Sequence, residues 1–188
     1  MTILKSAALI TALGILVTGC LLSPAIRAAD RPVVDSEDIN KLLADAKAEA
    51  LVIKKDAGEM QSFTRSNLGW ETYSLKIEAI KAHINTLGRL TTKLADLREN
   101  ASPWQETAID RITPVLRELA DNTSATIDHL NNNLTRIHTP AFRDLVDANY
   151  DLSTQMAALV VDFVDYGRTK AKFERLRNKL EIDLDEDR

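Results

Sequence analysis

The chain has 188 residues and a formal net charge of −4, from 24 basic and 28 acidic side chains; 45% of it is hydrophobic and only 5% aromatic. The length suits one domain after removal of a leader, and the apolar content suffices for a core. The acidic balance argues against nucleic acid as a partner, and a chain with six Gly and five Pro among many Ala, Leu, Asp, Lys and Arg favours long helices over sheets.

Residues 1–29 read as a targeting segment. Lys5 is the only charge before Arg27, and residues 7–22 are apolar or small. Inside that run, Val17-Thr18-Gly19-Cys20 resembles the lipobox of bacterial lipoproteins: aliphatic, small, small, then a Cys that becomes lipidated and N-terminal. The resemblance implies a lipid anchor on Cys20 and the membrane as a partner. Cys20 is the only cysteine, so no disulfide can form within one chain, and stability must come from packing. Two other readings are an ordinary signal peptide cleaved near Ala28 or Ala29, and an uncleaved anchor over residues 6–26. All three place the remainder outside the cytoplasm, in the periplasm or at the membrane of a bacterial envelope. Residues 30–35, with Pro32, read as a tether.

Helix one is expected from the Ser36 cap, with Glu37 and Asp38 suiting its positive end. Its seam is Ile39, Leu43, Ala46, Ala50, Ile53, Ala57, Met60 and Phe63, stopping near residues 65–67. Helix two spans about 70–99, with Tyr73, Ile77, Ile80, Ile84, Leu87, Leu90 or Thr91, Leu94 and Leu97 inward. Helix three is expected over residues 102–138. Ser102-Pro103-Trp104-Gln105 supplies a cap, a first-turn proline and a Gln that bonds back to the cap N–H. Its seam runs Ile109, Ile112, Leu116, Leu119, Thr123, Ile127, Leu130, Leu134 and Ile137, and Pro114 should kink it without ending it.

Thr139-Pro140 repeats the cap-then-proline start. Helix four should then run about 40 residues, with Phe142, Leu145, Asn149, Leu152, Met156, Leu159, Phe163, Tyr166, Phe173, Leu176 and Leu180 on its seam. The basic cluster Arg168, Lys170, Lys172, Arg175, Arg177 and Lys179 fits a solvated face complementing the negative helix end; its other use would be a patch for anionic lipid or cell-wall polymer. Residues 183–188 read as an acidic disordered tail.

Four amphipathic segments with short connections predict an all-α, up-down-up-down antiparallel four-helix bundle over residues 36–182. Folding the chain at each turn sets Phe63 level with Tyr73, Tyr73 with His129, and His129 with Asn149. That predicts a polar core layer of His129, Asn149 and the Tyr73 hydroxyl, with Asn149 setting register. Helices three and four should outrun the first hairpin, leaving Leu134, Ile137, Phe142 and Leu145 as a possible interaction tip, with only Leu68 and Trp70 to cover it.

No catalytic constellation, metal-ligand set or cofactor motif is found. His83 and His129 fall ~15 Å apart at helical rise and cannot share one ion. Glu-x-x-His pairs and Cys-x-x-Cys-His are both missing. The reading is therefore a non-enzymatic interaction or structural module of the cell envelope, with another envelope protein as a candidate partner. The alternative is a bundle holding an apolar ligand, or haem between Met60 and His129.

Two stretches carry a further resemblance: Ser102-Pro-Trp-Gln-Glu-Thr-Ala-Ile-Asp-Arg-Ile-Thr-Pro through to Asp128-His129-Leu130, and Asp162-Phe-Val-Asp-Tyr-Gly-Arg-Thr-Lys-Ala-Lys-Phe-Glu-Arg-Leu. Together they resemble uncharacterised exported helical proteins of Acidobacteria-type soil bacteria. The resemblance implies an envelope location and supplies no activity.

Overall fold

A computed structural model describes residues 34–180 apart from 67 and 135. The leader, Cys20, residues 30–33 of the tether and the acidic tail lie outside the described residues. Among the described residues, four helices make up the fold: α1 (Glu37–Phe63), α2 (Trp70–Asp96), α3 (Pro103–Asn132) and α4 (Pro140–Lys179), with one 3-10 turn, Arg98–Asn100, before α3. No strand occurs among the described residues. Each helix packs on its neighbours in the chain, and α4 closes the ring against α1. This is the expected all-α four-helix bundle.

The apolar periodicity decides what faces the axis. All seven α1 seam residues from Ile39 to Met60 are buried, as are Tyr73, Ile77, Ile80, Ile84, Leu87, Thr91 and Leu94 of α2. On α3 the inward face is Ile109, Ile112, Leu116, Leu119, Thr123 and Leu130, with Thr126 buried and Ile127 half-buried. Pro114 sits on the exposed side, and α3 runs through it as one helix. Its missing donor therefore leaves a carbonyl near water rather than in the core.

Two expectations are corrected. First, α3 ends at Asn132, six residues short of His138. The side-chain amides of Asn132 and Asn133 donate to the carbonyls of Asp128 (2.9 Å) and His129 (3.2 Å), taking up groups that a further helical turn would have used. Second, the face that α4 buries is turned from the expected one. Val146, Ser153, Ala157, Val160 and Val164 are buried, whereas Leu145, Leu152, Leu159 and Phe163 are half-buried at its edge. Gly58 of α1 meets the half-buried Tyr150 of α4, whose ring would lie 3.3 Å from a Cβ there.

With 40 residues against 27, 27 and 30, α4 is longer than its partners by about 15 Å or more at helical rise. The excess lies at its C-terminal end, beyond the first turn of α3.

Candidate functional site

Buried polar groups gather in two places, and neither is the single layer expected from the sequence. The first is a seam between α3 and α4. Asn149 is fully buried; its Oδ1 accepts the Thr123 hydroxyl at 2.7 Å, and its Nδ2 donates to Thr126 Oγ1 at 2.7 Å and to the Leu145 carbonyl at 3.2 Å. Asn122 Nδ2 donates to the same Leu145 carbonyl at 3.0 Å, and the Thr126 hydroxyl donates to the Asn122 carbonyl at 2.8 Å. A closed network of this kind satisfies Asn149 and fixes how α3 and α4 align.

His129 and Tyr73 are not part of that network. They belong to an aromatic layer one step nearer the α3–α4 connection, to which each helix gives one ring. Tyr73 meets Phe63 edge-on with centroids 5.8 Å apart and Phe142 at 5.1 Å; His129 lies 5.4 Å from Phe142. The Tyr73 hydroxyl and His129 Nε2 are both buried without a hydrogen-bond partner among the described residues. Burial pushes the Tyr73 hydroxyl above the usual phenol value, only partly offset by the positive charge of Arg143. The grouping of His129 with Asn149 is thus corrected: α3 stops early, the intervening turns add little rise, and His129 falls level with Phe142 instead.

The proposed tip changes for the same reason. Phe142 is 0% exposed and Ile137 5%, Leu145 is half-buried, and only Leu134 stands out at 43%. Phe142 is a core ring, and it fills the space beside His129 where the alternative reading would seat a ligand.

The second polar cluster lies at the opposite end and was not foreseen. Asp35 accepts the Trp104 indole N–H at 2.8 Å and the Lys170 ammonium at 2.8 Å. Burial alone would raise the Asp35 carboxyl, but Lys170 and the neutral donors outweigh it and hold it below the ordinary carboxylate value. Gln105, fully buried, takes the N–H of both Ser36 and Ser102 on its Oε1 at 3.0 Å. Its Nε2 donates to the Ser36 carbonyl and to Asn40 Oδ1, each at 2.9 Å. The Trp104 ring lies across Gly167, where a Cβ would come within 2.7 Å of it, and meets Tyr166 with centroids 5.4 Å apart. The start of α1, the start of α3 and α4 around Tyr166 to Lys170 are thereby tied into one knot. Gln105 was legible as half of a capping box; the Asp35–Lys170 pair, 135 residues apart, carried no local signal.

Cross-helix ion pairs line the outside: Lys76 of α2 with Asp56 and Glu59 of α1 (3.0 and 2.7 Å), and Lys47 of α1 with Asp165 of α4 (2.9 Å); His83 Nδ1 of α2 lies within hydrogen-bond distance of Glu49 Oε2 of α1 at 2.8 Å. Among the described residues, no three His, Cys, Asp or Glu side chains are placed to hold a metal ion, and no helix is long and apolar enough to cross a membrane. An open groove of about 710 Å³ runs between α2 and α3 past Gly88, Thr91, Leu116 and Ala120, with Arg89 and Arg117 also lining it. The chain matches no protein-family model, no curated protein and no solved structure.

Proposed function

We propose that this chain is an exported helical-bundle protein, held at a bacterial envelope by a lipid on Cys20, that works as a non-enzymatic interaction or structural module. The observation that carries the reading is Val17-Thr18-Gly19-Cys20, the sole cysteine of the chain, at the end of an apolar run and 16 residues before the Ser36 cap of α1. An anchor so close to a bundle keeps the bundle near the lipid surface. The filled aromatic layer and the satisfied Asn149 seam support a scaffold role, since both serve alignment of the helices.

Labelling with a palmitate analogue tests the anchor: the wild type takes up label and Cys20→Ala does not. Equal labelling of the two ends the lipoprotein reading. Leu134→Asp tests the hairpin end as a docking point, because Leu134 is exposed and its replacement leaves the core intact. Phe142→Asp is unsuitable for that purpose, since it places a charge in the core.

A further inference from the structure

The last turns of α4 carry an unpartnered amphipathic face. The edge of α4 that contributes Leu159 and Phe163 to the core is covered as far as Phe163; Tyr166, in edge contact with Trp104 of the first turn of α3, is already 52% exposed. Beyond that point the same edge continues through Phe173, Leu176 and Leu180, which are 54%, 47% and 61% exposed. Among the described residues, no helix lies alongside to bury them.

The cations are arranged around that stripe. Arg168, Lys172, Arg175 and Lys179 recur at steps of four, three and four, forming one row beside the apolar stripe. Arg177 and Lys170 flank it on the other side. Residues 168–180 hold six basic side chains against one acid, Glu174. This is the arrangement of a helix lying in a membrane interface: apolar groups point into the acyl boundary, and long cationic stems on both flanks reach the headgroups.

Lys170 adds a geometric link. Its ammonium bonds Asp35, the second described residue, so the described chain begins beside this helix. Thirteen residues separate Cys20 from Val34, a reach of at most about 50 Å fully extended. The ten residues after Lys170 project about 15 Å. An anchor at Cys20 therefore holds the face within reach of the lipid surface.

We infer that residues 168–180 of α4 dock on an anionic phospholipid surface, with Phe173, Leu176 and Leu180 in the acyl boundary and Lys172, Arg175 and Lys179 on headgroup phosphates. The inference rests on the export and anchoring proposed above. A soluble polyanion would engage the cations and leave the apolar stripe in water, so the stripe favours lipid. Six cations beside the stripe make a densely anionic surface a firmer seat for it than a zwitterionic one, which offers no net charge.

The test reconstitutes the full chain, as isolated from the expressing cells, into phosphatidylcholine vesicles with or without phosphatidylglycerol, and follows amide exchange by mass spectrometry. Exchange over residues 168–180 is expected to slow about tenfold or more in the anionic vesicles alone, with α1 to α3 unchanged. Lys172→Gln with Arg175→Gln and Lys179→Gln abolishes the slowing, and so does Phe173→Ser with Leu176→Ser; all five positions are exposed, so the bundle survives. Equal exchange in the two vesicles overturns the inference. Slowing that survives Phe173→Ser with Leu176→Ser overturns it in favour of a bare polyanion site. Slowing without vesicles that rises with protein concentration overturns it in favour of a second copy. The intact mass separates the two readings: an acylated chain without slowing fails this inference alone, and an unacylated chain slowed by anionic vesicles fails only the anchor.

Discussion

Gln105 and Ser36, 69 residues apart, exchange two hydrogen bonds: the Ser36 N–H reaches Gln105 Oε1 at 3.0 Å, and Gln105 Nε2 reaches the Ser36 carbonyl at 2.9 Å. One buried amide thus serves the N-termini of two helices at once. Gln105→Ala strands the N–H groups of Ser36 and Ser102 and is expected to destabilise by about 3 kcal/mol. Gln105→Glu keeps the acceptor and loses the donor to Asn40 and to the Ser36 carbonyl, so part of its deficit is recovered when acid protonates the new carboxyl. Urea titrations at pH 7 and pH 4.5 check both variants.

The Asp35–Lys170 pair gives the acid limb of stability a definite sign. Asp35 is held below its unfolded value, so its contribution is fully present above about pH 4 and lost as pH falls through the folded pKa. In Asp35→Asn the stability lost between pH 5 and pH 2 is smaller than in the wild type. Lys170 is raised: burial lowers it, but Asp35 and Glu174 together outweigh burial, so its contribution is lost only as pH rises through the elevated value. Denaturation midpoints across pH measure both; parallel acid limbs for wild type and Asp35→Asn refute the assignment.

Two helical glycines respond oppositely to the same substitution. A methyl at Gly167 comes within 2.7 Å of the Trp104 ring, which Asp35 holds in place, whereas nothing lies within 4 Å of a methyl at Gly88. Gly167→Ala is expected to destabilise by about 1–3 kcal/mol through overpacking. Gly88→Ala, on the open groove between α2 and α3, is expected to stabilise by roughly 0.5–1 kcal/mol. Thermal melts of the two variants should move in opposite directions.

The unpartnered Tyr73 hydroxyl makes Tyr73→Phe neutral or stabilising, by up to about 1 kcal/mol, with the ring contacts to Phe63 and Phe142 kept. Asn149→Ala, in contrast, breaks bonds to Thr123 and Thr126 in a fully buried seam and is expected to lose about 2 kcal/mol or more. A calorimetric scan of each separates the satisfied buried polar group from the orphaned one.

The sequence by itself determined the four helices, their starts and nearly all of the inward face of α1 and α2. Helical period and caps at Ser36, Ser102 and Thr139 are properties of neighbours in the chain, and burial of regularly spaced apolar groups follows from them. Tertiary structure decided everything that depends on alignment between helices. Early termination of α3 at Asn132 moved His129 from Asn149 to Phe142, took Phe142 out of the exposed tip, and left the far end of α4 uncovered. The reason is geometric. An error of six residues in where a helix stops shifts its partners by about 9 Å, and a local pattern fixes which side of a helix is apolar without fixing which part of a neighbour comes to lie against it.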